Sequence, residues 1–141
     1  MAWTGSFLCN QAKLDFMKGL HDAADTYKIA LYDANAAFTA TGTVEYSATN
    51  EITGTGYVAG GATLAGLSQA LVDGVAVWDF TDPSWTGATF TAYGALIYND
   101  TNSPKGAIAV IDFGGPKVVT AGTFTYVLPA ATATEGLIRI Q

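Results

Sequence analysis

Few residues in this chain are of a type that carries out covalent or proton-transfer chemistry, and they are scattered. Cys9 is the only cysteine and His21 the only histidine. A nucleophilic dyad would need them within hydrogen-bond reach. A continuous helix between them, at about 1.5 Å per residue, would hold them roughly 18 Å apart. His21 is then expected at the helix C-terminus, where the dipole favours an imidazolium. Two acid pairs, Asp22 with Asp25 and Asp79 with Asp82, have the spacing of turn aspartates. Paired carboxylates also occur in glycosidases and calcium loops, but neither pair has the ligand number of an EF-hand loop. Gly54, Gly56, Gly60 and Gly61 lack the Gly-Lys-Ser/Thr of a phosphate-binding loop and predict turns and close backbone approach. No catalytic, cofactor-binding or metal-binding residue is assigned, and no cofactor is expected. Trp78, Trp85 and Tyr93 could act as stacking platforms of a carbohydrate-binding module, with Trp85, in the turn Pro83–Gly87, the best candidate for an exposed aromatic.

Composition points from chemistry towards assembly. Half of the 141 residues are hydrophobic and 13% are charged, against about a quarter in ordinary globular domains. No apolar run approaches the roughly 18 residues of a membrane span. The surplus apolar surface is therefore expected between subunits, as a homo-oligomer of two or three copies. A net charge of −6 disfavours nucleic acid as a partner. A lone cysteine and an N-terminus without signal-peptide pattern fit synthesis in a reducing cytoplasm. Asn99-Asp100-Thr101 matches a glycosylation sequon only by chance in that setting.

The elements that hold these residues are mainly strands. Residues 88–115 read as two apolar strands joined by the polar connector Asn99–Lys105. Phe90, Ala92, Gly94, Leu96 and Tyr98 alternate along one face, yet Tyr93, Ala95 and Ile97 make the other face apolar too. Such a strand needs two covers, one from a packed sheet and one from a helix or another subunit. Residues 10–20 predict the single helix, capped by Asn10 and closed near Gly19, with Leu14, Met17 and Leu20 as a core-facing stripe. Strands are expected over 27–32, 43–47, 75–80, 117–120, 123–128 and 137–141, with 63–67 and 69–72 as two short elements or one bent strand, a break at Gly114-Gly115-Pro116 and a turn at Ala121-Gly122. The chain thus reads as one domain, 1–141, an antiparallel β-sandwich or jelly-roll-like barrel with an N-terminal arm (1–9) and helix (10–20). Trp3 and Phe7 in the arm, Trp85 in its turn, and Ile138 and Ile140 in the tail are the candidate interface residues.

Four segments taken in order, Asp25–Tyr32, Asn50–Tyr57 with Gly60-Gly61, Tyr93–Asp100 and Ala109–Gly115, resemble a family of small virion proteins of tailed bacteriophages. The likeness spans about residues 6–128 and lies in whole-chain pattern. It implies a non-enzymatic virion protein, assembled in the host bacterial cytoplasm and partnered by itself and by other virion proteins such as the major capsid protein. Such proteins serve as capsid cement or decoration, or as neck or tail components. The absence of coiled-coil heptads and fibre repeats favours the capsid exterior over a fibre shaft.

Overall fold

The computed structural model describes residues 3–141. Its elements are β1 (Phe7–Leu8), α1 (Asn10–Met17), β2 (Tyr27–Tyr32), β3 (Ala62–Thr63), β4 (Ser68–Val72), β5 (Val75–Asp79), β6 (Ser84–Asn99), β7 (Ala107–Thr125) and β8 (Ile138–Ile140). They form two antiparallel sheets, ordered β1-β7-β6-β2-β3 and β4-β5-β8. The sheets stay open, so the sandwich alternative describes the fold and the closed barrel does not.

The β6/β7 hairpin is the backbone of the larger sheet. In its root, Gly94–Asn99 and Ala107–Ile111 are buried without alternation. Both covers exist. On one face Tyr27, which pairs with Asn99, packs edge-on against Trp78 of β5 and beside Phe80. On the other face the cover is neither helix nor second subunit but the connector of residues 33–61. There Tyr46 stacks on Tyr98, Phe38 packs on Tyr32 and Trp3, and Tyr32 Oη donates to the Ser47 carbonyl. This approach is close enough to dictate residue type. A Cβ at Gly94 would fall into the Trp3 ring, and one at Gly61, where φ is +84°, onto the Ile29 carbonyl oxygen. Glycine density here therefore means backbone packed on backbone.

Several expected boundaries shift for identifiable reasons. The break at Gly114-Gly115-Pro116 is a bulge inside an unbroken β7. Ala92 pairs with Lys117 and Gly94 with Asp112, so Tyr93 faces the four residues between. Pro116 is tolerated there because a bulged residue owes the ladder no N–H. Ala121-Gly122 is likewise a register shift opposite Thr89, whose Oγ1 accepts from the Ala121 N–H. The strand expected over 43–47 is only a bridge from Glu45 to Gly106.

The helix is the largest correction. It is two turns long and ends before Lys18, with Gly19 left-handed as expected, but its N-cap is Cys9 and Asn10 is its first residue. The apolar stripe faces outward: Leu14, Met17 and Leu20 are exposed, while Ala12 and Asp15 are buried. Phe16 explains the choice, since it packs edge-on against both Trp78 and His21. A large aromatic plus a carboxylate beside a histidine outweighs two aliphatic positions on so short a helix.

Candidate functional site

Three places bear on function: a buried polar junction at the helix end, a carboxylate ringed by tyrosines, and the exposed aliphatic surface.

The junction gathers Asp15, His21, Asp25 and Asn99. Gly19 reverses the chain after α1 and turns His21 inward, where it is buried. Asn99 closes β6, and its Oδ1 accepts from the N–H groups of Thr101 and Asn102, starting the hairpin loop. Its Nδ2 is thereby the atom that donates to Asp25 Oδ2 at 2.8 Å and faces His21 Nδ1 at 3.2 Å. Nδ1 must then accept, so the neutral ring carries its proton on Nε2. That nitrogen lies 3.6 Å from Asp15 Oδ2, beyond hydrogen-bond length, and has no other partner. Burial lowers the His21 pKa, outweighing the opposing pull of Asp15 and Asp25. The imidazolium expected at a helix terminus is thus replaced by a neutral ring, because the side chain sits past the helix end and inside the protein. Both ring nitrogens face fixed side chains of the chain itself, so the arrangement pins the helix end to the hairpin loop.

Cys9 is fully buried at the helix N-cap, and burial pushes its thiol up to about 12. A thiol held protonated is not a nucleophile at neutral pH. Three of the four paired acids hold backbone N–H groups. Asp22 Oδ1 accepts from Ala24 N–H and Asp25 Oδ2 from Asp22 N–H, while Asp82 Oδ1 receives the Leu128 N–H across the fold. Among the described residues no three His, Cys, Asp or Glu side chains converge as a metal site.

The second cluster centres on Glu51. Its Oε1 accepts from Tyr57 Oη at 2.6 Å and from Gly60 N–H at 2.7 Å, and its Oε2 accepts from Tyr46 Oη at 2.6 Å. Tyr57 Oη also accepts from the Leu31 N–H. Burial, and then the bond to the carboxylate, pushes both tyrosine pKa values far up. The cluster ties the 50–61 segment to the end of β2 beyond its pairing with β3, where Tyr32 bridges to Glu51 and the Ile52 N–H donates to the Leu31 carbonyl. Sequence reasoning missed it; the only signal was one acid among Tyr46, Tyr57 and Tyr98.

The candidate interface residues separate. Trp3 is 8% exposed and Trp85 5%, and Ile138 is buried. Trp3, expected as an anchor for a neighbour, packs on its own domain: its ring lies over Gly94 and its Nε1 donates to the Asp33 carbonyl at 2.9 Å. Trp85 is enclosed by Tyr57, Phe90 and Phe124, and Trp78 lies in the core. Two of the three proposed glycan platforms are thus inside the protein. Phe7 is half-buried in β1, where it pairs with Val110, and residues 3–6 lie against the sheet through Trp3 and the bonds of Gly5 and Ser6 to Asp112. Met1 and Ala2 lie outside the described residues. Ile140 alone of the five is well exposed, at the edge of the small sheet beside Ala76 and in line with Leu71. With it, Leu14, Met17, Leu20, Val44, Val58, Leu71, Val118 and Val127 are the exposed large aliphatic residues of the described chain.

No helix among the described residues is long and apolar enough to cross a membrane. Comparison with protein-family models, with curated proteins and with solved structures returned no match.

Proposed function

We propose that this chain is a non-enzymatic structural protein of a tailed-phage virion, a cement or decoration protein that binds the head exterior as a small oligomer and stiffens the shell. The observation that carries the reading is aliphatic surface left over once the core is filled. Met17 is 87% exposed, Leu71 77%, and Val118 and Val127 nearly as much. Each such side chain yields roughly 1.5–3 kcal/mol when covered, before the cost of association. β4 adds a sheet edge with exposed residues and unpaired backbone groups, suited to contacts between copies. The four segments that resemble phage virion proteins support the same reading from another side. They cover β2, residues 93–99 of β6, residues 109–115 of β7 and part of the loop packed on them, whereas the exposed aliphatics, Val118 of distal β7 included, lie outside these segments. A particle-binding family would keep the frame and vary the surface.

The test is localisation. Particles of the phage that encodes the chain, probed with a labelled antibody and by cryo-electron microscopy, should carry it in regular copies on the head. Label at the neck or tail would move the protein to the other end of the particle, and its absence from purified virions would remove the reading.

A further inference from the structure

We infer that the outward face of α1, with the groove beside it, is the surface that docks on the shell, and that its partner is an acidic protein surface containing an apolar pocket. The inference rests on the virion reading above. Leu14 and Met17 have the spacing of a buried helical stripe, and Leu20 continues it past the turn, yet all three face outward. Asp15 and Phe16 fix that orientation by packing on His21 and Trp78, so the helix cannot roll to bury the stripe in its own domain. A local pattern that contradicts its own fold is the mark of a surface completed by something else. Beside it runs a groove of about 450 Å³, with Lys18, Leu20, Val44 and Pro104 in its lining and the largely buried Asp15 in its wall. Met17, unbranched and adaptable, suits a pocket, and Leu20 and Val44 continue the apolar contact.

Charge selects the occupant. Lys13 and Lys18 are exposed and flank Leu14 and Met17, and neither forms an ion pair among the described residues. The only acid on the helix, Asp15, is buried and turned to His21. A basic, aliphatic strip on a chain of net charge −6 therefore meets an acidic partner with complementary sign. A second copy docked by a two-fold axis would set Lys13 and Lys18 against themselves. Nucleic acid fits poorly, because two lysines on an acidic chain make few phosphate contacts and Leu14, Met17 and Leu20 offer no base readout.

Cosedimentation with heads of the encoding phage, purified without this chain, tests it at 50 and 300 mM salt. Leu14→Ser with Met17→Ser should weaken binding at least tenfold at both salts, with an unchanged melting temperature showing that the fold is kept. Lys13→Gln with Lys18→Gln should weaken binding about three- to tenfold at low salt and flatten the salt dependence. If wild type binds heads and the Leu14/Met17 variant binds equally well, the docking face is wrong while the virion reading stands. Wild type that binds neither heads nor whole virions would overturn both. Retention on duplex DNA at 300 mM salt that the serine variant leaves intact would make the occupant nucleic acid and overturn the inference.

Discussion

The two halves of the β6/β7 hairpin obey different rules. In the root every residue from Gly94 to Asn99 is buried, whichever way it points. In the distal half parity decides: Ala88, Phe90 and Ala92 are buried while Thr89 and Thr91 are exposed. The root is clasped between the β5 face and the 33–61 connector, whereas the distal half has one covered face, lined by Trp85, Phe90, Phe113 and Phe124. Cover, and not strand propensity, sets how much a position tolerates.

The sharpest way to break this contrast is to mutate adjacent pairs. Leu96→Ala and Ile97→Ala point to opposite faces of the root, and each should cost about 3 kcal/mol in urea unfolding. In the distal half Phe90→Ala should cost a similar amount, while its neighbour Thr91→Ala stays within about 0.5 kcal/mol. Equal tolerance at Leu96 and Thr91 would mean that the connector does not cover the root.

The connector itself is the next target. Glu51→Gln places an amide where three donors converge, Tyr46, Tyr57 and Gly60, and should destabilise by about 1–3 kcal/mol. Amide hydrogen exchange should then rise over β2 and residues 50–61 and stay unchanged in the distal hairpin.

Acid probes the loop end of the root. Because burial holds the folded His21 pKa below its ordinary 6.5, the unfolded chain binds more protons as pH falls. Stability should be flat above about pH 6.5 and decline below it, by at most about 1.4 kcal/mol per pH unit, until the folded pKa is reached. Protonation also sets a new Nδ1–H against the Asn99 amide, two donors face to face. His21→Gln should remove that limb, and exchange at residues 99–106 should respond to acid before the distal hairpin does. The smallest effect belongs to Asp100, whose bond to Lys105, with Lys28 nearby, holds its carboxyl below the usual range. Asp100→Asn should cost about 0.5 kcal/mol or less, shrinking with salt, since the pairs are part-exposed.

Much of the frame was readable from residue order. Alternation marked β2, β5 and both hairpin strands, and the doubly apolar root announced two covers. The Asn99–Lys105 loop and the left-handed Gly19 followed from residue type. The functional surface was far less legible, because exposure is decided by neighbours distant in sequence. Trp3 and Trp85 look like anchors by type, yet Gly94 and the Tyr57–Phe90–Phe124 cluster receive them. Leu14 and Met17 look like core, yet Phe16 and Asp15 win the inward side of α1.

Taken alone, the amino-acid order determined that this is a β-rich, sparsely charged chain with one short helix and more apolar residues than strands of ordinary patterning need, since period and composition are local properties. Tertiary structure alone decided three things: that the connector covers the root, that Gly114–Pro116 bulges instead of breaking β7, and which side of α1 meets solvent. Each depends on a partner segment tens of residues away, and no local period encodes that partner.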